Sequence, residues 1–471
     1  MNNNAYLISI CRLPSLAFVV ILALTTGYPT TGVRAEDTEA SSKPNIVLII
    51  SDDQAWTDYG FMGHPHVETP HLDALAKRSA VFKRGYVPTA LCRPSLATLL
   101  TGHYASTHQI TGNDPSPKYA AKGSELYQQR CAELIAKSDA FDLLPEVLGR
   151  EGYLSHQSGK LWEGSYSRCG FTHGMTRGFP EEGGRHGDDG LRIGRDGLKP
   201  ITDFLDLAQR QRKPFFLWYA PFLPHSPHNP PQRLLDKYTE KVASLSVAKY
   251  YAMCEWFDET CGELVGEVDR RGMTENTLFI YVCDNGWIQN PQSSTFAERS
   301  KQSANEGGVR TPIMYCWPTR ISPQSRPELA ISLDIYPTIL AAAGFEVPND
   351  LPGLNLMPSL LAGSPVARNH LFGEGFAHDI ADLDDPSRTL LYQWVIRDNF
   401  KLLLKRDGEM NRYASRHSNS GADVQLYDLS ADPTEKHNIA EEMPVLAREL
   451  ASMIDEWDPV DHALASAGAA K

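Results

Sequence analysis

Long apolar runs are scarce in this sequence. Beyond the first thirty residues no window is apolar enough to span a bilayer, which takes about 20 consecutive apolar residues. Near the N-terminus, Arg12 precedes the apolar run Leu13–Leu24, and Val33-Arg34-Ala35 offers small residues of the kind a signal peptidase reads. We therefore expect residues 1–35 to be a removed export signal and the mature protein to be periplasmic or secreted, without stable membrane insertion. A membrane anchor is the alternative, although a dozen apolar residues are too few to span.

Positive charge is also in short supply. The chain carries 45 Lys and Arg against 58 Asp and Glu, a net charge of −13, and removing residues 1–35, which hold two arginines and no acid, makes it −15. Such a surface repels nucleic acid and anionic membranes at long range, so we expect no nucleic-acid partner. An anionic substrate would need a local nest of cations and metal.

Cysteines are few. Seven of the eight remain after removal of the signal, an odd number for an oxidising compartment, so one should do something other than pair. Cys92 is the candidate, for reasons given below. Cys131 and Cys169 are candidates for a disulfide bridge. Cys254 and Cys261 lie seven residues apart on an apparent helix, which separates them by about two turns and prevents a direct bond.

Internal repeats are lacking too, and the pattern that is present alternates apolar, β-branched runs with helical segments, which is typical of an α/β layer fold. Among the helices, Leu72–Arg78 would be capped by Thr69, with Pro70 in the first turn. We expect residues 36–360 to form a large central, mostly parallel mixed sheet flanked by helices. Three runs read as its central, fully buried strands: Asn45–Ile50, Pro214–Tyr219 and Thr277–Cys283.

The pattern of predicted secondary structure changes after about residue 360. The segments Leu390–Arg397 and Asn399–Lys405 meet at Asp398 and predict a hairpin. Gln425–Leu429 predicts another strand, followed by a turn and a final helix. We therefore expect residues 361–471 to form a smaller C-terminal α+β subdomain.

Acidic side chains follow two of the predicted central strands. Asp52 and Asp53 come directly after the first strand, and Asp284 and Asn285 follow the third. In open α/β sheets ligands bind beyond the carboxyl ends of the strands, and adjacent carboxylates repel each other unless a cation neutralises them. Three carboxylates and an amide oxygen suit Ca²⁺, with Mg²⁺ as the alternative, rather than zinc. The other interpretation is that each acid caps a neighbouring helix.

The segment from Cys92 to Gly102 predicts a helix, with Pro94 well placed to start it and Gly102 to end it. Cys92 would lie just outside the helix N-terminus, where unpaired N–H groups favour an anion. Taken alone, the segment equally describes a buried structural cysteine before a core helix.

Together these features resemble the sulfatases of the alkaline phosphatase superfamily, over residues 44–440. The motifs that carry the resemblance occur in the family's order: Asp52-Asp53, Cys92-Arg93-Pro94-Ser95 with Thr101-Gly102, Lys301, Glu306-Gly307-Gly308-Val309-Arg310-Thr311-Pro312, and Leu426-Tyr427-Asp428-Leu429 with Asp432-Pro433. The resemblance implies an alkaline phosphatase-like fold and hydrolysis of sulfate esters.

The resemblance also implies that a formylglycine-generating enzyme oxidises Cys92 to formylglycine, an aldehyde whose hydrate is the nucleophile. The expected metal ligands are Asp52, Asp53, modified Cys92, Asp284 and Asn285. Lys301 matches the lysine that contacts the sulfate and the leaving oxygen, and Lys160 matches one that steadies the modified residue. His225, in a Pro-His-x-Pro element, matches the partner of the leaving group. A turn histidine and a solvated surface lysine are the alternatives for His225 and Lys301.

Two positions depart from the family's pattern. The family has a histidine where this chain has Trp162, so the group that orients the hydrate must come from elsewhere. It has an arginine where this chain has Leu96, and Arg93 is a candidate to supply a nearby guanidinium.

The expected function is therefore an exported sulfatase acting on sulfated carbohydrates. The alternatives are a phosphate mono- or diester hydrolase of the same superfamily and a non-catalytic binder of sulfated glycans. Residues 165–200, read as a surface loop, and 286–300 are expected to rim the pocket. The candidate substrate contacts are Arg185, His186, Arg192 and Arg195 for a carboxylate or second sulfate, and Trp162 and Trp287 for a sugar face.

Overall fold

The computed structural model describes residues 43–409, 412–413, 422–458 and 460. The expected export signal, residues 1–35, lies outside the described residues, and its assignment stays a prediction. Among the described residues, no helix combines the length and the apolar character needed to cross a bilayer.

The β-strands of the described residues form three sheets. In chain order the strands are β1 (Asn45–Ser51), β2 (Ala80–Tyr86), β3 (Asp114–Pro115), β4 (Leu154–Gly159), β5 (His173–Gly174), β6 (Phe215–Ala220), β7 (Thr277–Cys283), β8 (Ile313–Cys316), β9 (Gln324–Ile331), β10 (His370–Phe376), β11 (Asp379–Ile380), β12 (Leu390–Arg397), β13 (Phe400–Lys405) and β14 (Val424–Asp428).

The α-helices surround these sheets. They are α1 (Pro70–Ala76), α2 (Cys92–Thr101), α3 (Ala105–His108), α4 (Glu125–Ala136), α5 (Leu144–Arg150), α6 (Lys199–Gln211), α7 (Gln232–Thr239), α8 (Leu245–Arg270), α9 (Glu306–Val309), α10 (Ile335–Ala342), α11 (Met357–Ala362) and α12 (Pro444–Trp457).

The largest sheet has eight strands in the order β5-β4-β6-β1-β7-β8-β2-β9. Every neighbouring pair is parallel except the two that involve β8, which runs antiparallel to β7 and to β2. The predicted mostly parallel mixed sheet is therefore confirmed. The three strands predicted to be central are β1, β6 and β7, and β1 lies between the other two.

Burial on both faces explains why these strands are apolar throughout. Ile46 and Leu48 of β1 point into a core that includes Leu99 of α2, whereas Val47 and Ile49 point into the opposite core with the residues of α1, α6 and α8. Successive side chains of a strand face opposite sides, so a strand covered by helices on both sides needs apolar residues at every position.

Two local predictions at helix starts are wrong. The side chain of Thr69 does not cap α1; its hydroxyl donates to Asp73 Oδ1 at 2.9 Å and accepts from the backbone N–H of Gly60 at 2.8 Å. Cys92 is the first residue of α2 rather than a residue outside it, because Leu91 is the extended capping residue. The predicted end is confirmed, since Gly102 has a left-handed φ of 76°.

The candidate disulfide is not formed. All seven described cysteines are free thiols, Cys131 and Cys169 among them. The Cys169 thiol instead donates to the backbone carbonyl of Glu163 at 3.2 Å.

The C-terminal part contains the predicted hairpin. Strands β12 and β13 pair antiparallel and meet at Asp398, whose φ is 56°, and the four-stranded sheet has the order β10-β12-β13-β14. Leu450 and Ile454 of α12 pack against Leu402 of β13 and Leu426 of β14. The boundary at residue 360 stays a prediction.

A buried charge cluster joins the C-terminal sheet to the region around α9. Lys401 of β13 is fully buried, and its Nζ lies 3.0 Å from Glu306 Oε1 and 3.0 Å from Glu435 Oε1. The backbone N–H of Glu306 donates to Glu435 Oε2 at 2.6 Å. One ammonium thus sits between two carboxylates, which would repel each other without it.

Lys401→Met is expected to lower the free energy of unfolding by roughly 3–5 kcal/mol, because it removes the cation shared by two buried glutamates and leaves only Arg310, 3.3 Å from Glu306 Oε2, to offset their charge. Urea denaturation measures the change. The matched control is Lys405→Met on the same strand, where the lysine is 37% exposed and its nearest acid is 3.9 Å away, and this variant should change stability by about 0.5 kcal/mol or less. Equal losses in the two variants would contradict the assignment.

Candidate active site

Four of the expected metal ligands meet at the ends of β1 and β7. These strands are parallel neighbours with Ser51 opposite Cys283, so Asp52 and Asp284 leave the sheet side by side. The backbone N–H of Asp53 donates to Asp284 Oδ1 at 3.2 Å, and Asn285 Nδ2 donates to Asp53 Oδ1 at 2.6 Å. All four side chains are buried.

Several oxygens of this group have no hydrogen-bond donor. Among the described residues, none donates to Asp53 Oδ2, Asp284 Oδ2 or Asn285 Oδ1, although all three atoms are buried. Leaving a buried polar atom unsatisfied costs about 1–3 kcal/mol. Unpaired hard oxygens on three neighbouring residues fit a Ca²⁺ or Mg²⁺ ion, which takes ligands of this kind. One oxygen each of Asp52 and Asp53 also lies within 4.8 Å of Cys92 Sγ and a ring nitrogen of His225.

Mutual repulsion shows in the titration of the acids. Burial raises the pKa of Asp52 well above its usual value, and Asp284 and Asp53 raise it further, against the opposing effect of Lys160. Burial likewise raises the pKa of Asp284. A divalent cation relieves this strain because it favours the charged form of every carboxylate around it.

The two expected lysines both reach the acids. Lys160 follows β4, and its Nζ lies 2.8 Å from Asp52 Oδ1 and 2.7 Å from Oδ2. Lys301 Nζ lies 2.6 Å from Asp53 Oδ1 and 3.1 Å from Cys92 Sγ. Both side chains are buried, so the interpretation of Lys301 as a solvated surface lysine is wrong. Burial disfavours the charge of each lysine, but the acids outweigh it and raise both pKa values, so both remain ammonium ions.

Cys92 lies at the centre of these groups. It is buried, with its Sγ 3.9 Å from Asp52 Oδ1. Burial raises the pKa of the thiol to about 12, even though Lys160 and Lys301 oppose the shift. The thiolate is the nucleophilic form of cysteine, so the unmodified side chain is a poor nucleophile here.

His225 lies on the far side of Asp53. Its Nε2 is 3.3 Å from Asp53 Oδ2, its Nδ1 is 2.6 Å from the backbone carbonyl of Ser226, and its ring stacks on Phe222 at 4.3 Å. Burial and then the two active-site lysines hold the pKa of His225 well below its usual value, so the ring is neutral. A carbonyl can only accept, which assigns the proton to Nδ1 and leaves Nε2 as an acceptor.

Cys92, Lys160, His225 and Lys301 open into one cavity of about 330 Å³. Other segments of the chain supply its walls through Asn113, Trp162, Arg185, His186, Trp287 and His378. Residues 165–200 are not only a surface loop, since the Gly187–Gly190 turn packs against the end of β4.

The expected substrate contacts separate into two groups. Arg185 and His186 line the cavity, and Arg185 is held by Asp114, with its Nε 2.7 Å from Asp114 Oδ1. Arg192 does not line the cavity but pairs with exposed Asp196. Arg195 donates to Asn229 and to the Phe222 carbonyl.

Trp162 occupies the position where a histidine was expected. The ring lies 5.2 Å from Lys160 Nζ and 5.3 Å from the imidazole of His186. His186, from a different segment, therefore brings an imidazole next to Trp162 and within the electrostatic reach of Lys160. Sequence reasoning missed Asn113 and His378, which are single residues in unremarkable segments that only the pairing of β3 with β11 brings together.

The fold and the site define the class of protein, an α/β protein with a cluster of acids and lysines at the carboxyl ends of its parallel strands. The chain belongs to the sulfatase family, because residues 44–345 match the family model Sulfatase. Residues 299–457 match a second model, N-sulphoglucosamine sulphohydrolase, C-terminal. Membership makes the chain a sulfuric ester hydrolase.

Curated relatives agree with this assignment, and solved structures share the fold. The chain is 28% identical to arylsulfatase A of Bos taurus, covering 89% of this chain and 88% of the relative, and 26% identical to an ulvan-active sulfatase of Formosa agariphila, covering 85% and 76%. Among structures, Ps i-CgsB in complex with a neocarrahexaose has a TM-score of 0.67 at 22% identity, covering 88% and 92%. Phosphonate monoester hydrolase of Agrobacterium radiobacter has a TM-score of 0.64 at 19% identity, covering 89% and 96%.

Calcium is expected to raise the melting temperature of the protein, because an ion that binds only the folded state stabilises it by about 2.7 kcal/mol at 100 times its Kd. Asp284→Asn should reduce the shift at the same calcium concentration, since it removes one ligand charge. Differential scanning calorimetry with and without chelator measures both. The control is Asp258→Asn, a buried aspartate that accepts from the backbone of Leu72, and it should keep the full calcium shift. A shift that is the same in all three proteins would contradict a metal site here.

Proposed function

We propose that this protein is an exported, calcium-dependent sulfatase that hydrolyses sulfated carbohydrates with a formylglycine made from Cys92. The observation that carries the proposal is the position of residue 92. Its side chain lies 3.1 Å from the Lys301 ammonium and next to Asp52, in the cavity that Lys160 and His225 also line.

The environment of Cys92 supports a nucleophile other than the thiol. A thiol whose pKa is about 12 is protonated at neutral pH, whereas the position is otherwise prepared for an anion by two lysines. One hydroxyl of a formylglycine hydrate would attack sulfur and break its bond to the ester oxygen, which leaves as the alcohol. The second hydroxyl would then lose its proton, which re-forms the aldehyde and breaks the carbon–oxygen bond to sulfate.

The other residues of the site would bind the metal ion, bind the sulfate and donate the proton. Asp52, Asp53, Asp284 and Asn285 would hold the ion, whose Lewis acidity would polarise the sulfate oxygens. Lys160 and Lys301, both ammonium ions, would bind the sulfate anion. Lys301 would donate the proton to the leaving oxygen, because the proton of neutral His225 lies on Nδ1 against the Ser226 carbonyl. Nε2 of His225 would accept a hydrogen bond from a hydroxyl of the leaving alcohol and orient the substrate.

The walls of the cavity support a sugar as the leaving group. The cavity size is that of a small-molecule site, and Trp162 and Trp287 offer aromatic faces beside the polar groups of Asn113 and Arg185. Aromatic faces bind the apolar side of a sugar ring while polar neighbours bind its hydroxyls. The relative named as ulvan-active and the structure with a bound neocarrahexaose agree with this substrate class.

Mass spectrometry of the peptide that contains Cys92 is expected to show conversion to the aldehyde, a change that removes one sulfur and two hydrogens and adds one oxygen. The protein must be coexpressed with a formylglycine-generating enzyme. Cys92→Ala should abolish hydrolysis of nitrophenyl sulfate, whereas Cys316→Ala, another buried thiol, should leave it intact. Full activity with an unaltered thiol at residue 92 would contradict the mechanism.

A phosphate or phosphonate ester hydrolase is the second candidate, because the phosphonate monoester hydrolase shares the fold. Phosphoryl oxygens carry more charge than sulfuryl oxygens, so a site in which Asp52 and Asp53 already pair with the two lysines should prefer the sulfate monoanion. We expect kcat/KM for nitrophenyl sulfate to exceed that for nitrophenyl phosphate and for a nitrophenyl phosphonate ester by at least tenfold. The reverse order would favour the second candidate.

A further inference from the structure

Next to the nucleophile position lies a buried ion pair that the proposed mechanism does not use. Arg93 and Glu163 are 4% and 2% exposed. Arg93 Nε donates to Glu163 Oε1 at 2.9 Å, and Nη2 donates to Oε2 at 2.8 Å. Two parallel hydrogen bonds of this kind fix the relative orientation of the two planar groups as well as their distance.

The pair joins segments that each carry an active-site residue. Arg93 directly follows Cys92 in the first turn of α2, and Glu163 lies three residues after Lys160. The third nitrogen, Nη1, donates to the backbone carbonyl of Asn113 at 3.2 Å, and the Arg93 backbone N–H donates to Asn113 Oδ1 at 3.1 Å. One guanidinium therefore connects three walls of the cavity.

The segment that carries Lys160 and Glu163 is itself anchored. The Glu163 carbonyl accepts from Arg168 Nη1 at 3.1 Å and from the Cys169 thiol at 3.2 Å. The Lys160 backbone N–H donates to the Ala220 carbonyl at 2.8 Å, and the Lys160 carbonyl accepts from Trp218 Nε1 at 3.2 Å. The pair can therefore transmit a fixed position from the sheet to α2.

Stability alone does not explain an arginine at this position. A cation in the first turn of a helix opposes the helix dipole, and a buried ion pair is no more stabilising than well-packed apolar residues of the same volume. Unlike an apolar contact, the pair fixes the relative orientation of the two segments that it joins. Catalysis depends on such fixed positions, since a displacement of about 1 Å between reacting groups can lower the rate 100-fold.

We propose that the Arg93–Glu163 pair positions the nucleophile at residue 92 relative to the Lys160 ammonium. The inference rests on the proposed function, and both residues act through their neighbours rather than on the substrate. Arg93 thereby supplies the guanidinium next to the nucleophile, from the position directly after Cys92, while Leu96 is part of the apolar core.

The test replaces both partners at once. Arg93→Met with Glu163→Leu removes the pair without leaving an unpaired buried charge, so the protein is expected to fold. The matched control is Arg326→Met with Glu328→Leu, a second bidentate pair with hydrogen bonds of 3.1 and 3.0 Å on β9, outside the cavity. Each protein is produced with the maturation enzyme and loaded with calcium.

The measurements are the melting temperature, the aldehyde content of the residue 92 peptide, kcat on nitrophenyl sulfate and the Kd for inorganic sulfate from calorimetry. The Arg93/Glu163 double variant should mature normally, lose about 100-fold in kcat and about tenfold in sulfate affinity. The control pair should leave kcat and sulfate affinity within threefold of the unsubstituted protein.

Three outcomes would overturn the inference. One is unchanged kcat and sulfate affinity in the Arg93/Glu163 double variant, and another is a loss of activity that matches a loss of aldehyde content. If the double variant does not fold, Arg93→Lys is tested instead, because lysine keeps the positive charge but cannot form the two parallel hydrogen bonds to Glu163. The third outcome is full kcat and full sulfate affinity in Arg93→Lys. If the unsubstituted protein matures but hydrolyses no sulfate ester, the proposed function is wrong. The sulfate affinity of the double variant, compared with that of the unsubstituted protein, then decides by itself whether the pair positions Lys160.

Discussion

The structure depends on the presence of three carboxylates at the tips of two adjacent parallel strands. The register of β1 and β7 places Asp52, Asp53 and Asp284 within a few ångströms of one another in a buried site. Like charges in such a place cannot all ionise unless cations accompany them. Lys160 and Lys301, from two other segments, neutralise part of this negative charge. The unpaired oxygens of the group fit a divalent ion that would neutralise the rest.

This electrostatic demand explains why distant parts of the chain converge on one edge of the sheet. Lys301 lies in a segment that is tied at both ends: the backbone N–H of Gln302 donates to the carbonyl of Ala90, just before α2, and Arg299 donates to the carbonyl of Glu435. Glu435 also takes part in the buried cluster around Lys401 of the C-terminal sheet. The C-terminal sheet therefore helps to position Lys301, although no residue of its four strands lines the cavity.

Sequence reasoning predicted the parts of the molecule that local rules determine. The central strands follow from apolar runs that only a doubly covered sheet explains, and the meeting of Asp52 with Asp284 follows from the rule that parallel strands end at one edge. It did not predict the partners set by tertiary contacts. Glu163, Asn113 and His378 are unexceptional in sequence, and the start of α2 shifted by one or two residues because an extended Leu91, not the proline, sets it.

The same distinction separates chemistry from substrate choice. The acids Asp52, Asp53 and Asp284 stand at the ends of strands whose positions the whole sheet determines. The cavity wall that contains Arg185 and His186 is formed instead by a turn that only a few close contacts hold. A Cβ at Gly187, whose φ is 141°, would lie 2.8 Å from the carbonyl oxygen of Gly159, and a Cβ at Gly190 would lie equally close to it. Any side chain there would push the turn away from Lys160 and carry Arg185 and His186 out of the cavity. Substitutions in such turns can therefore change which substrate is accepted while the acids, the lysines and residue 92 keep their geometry.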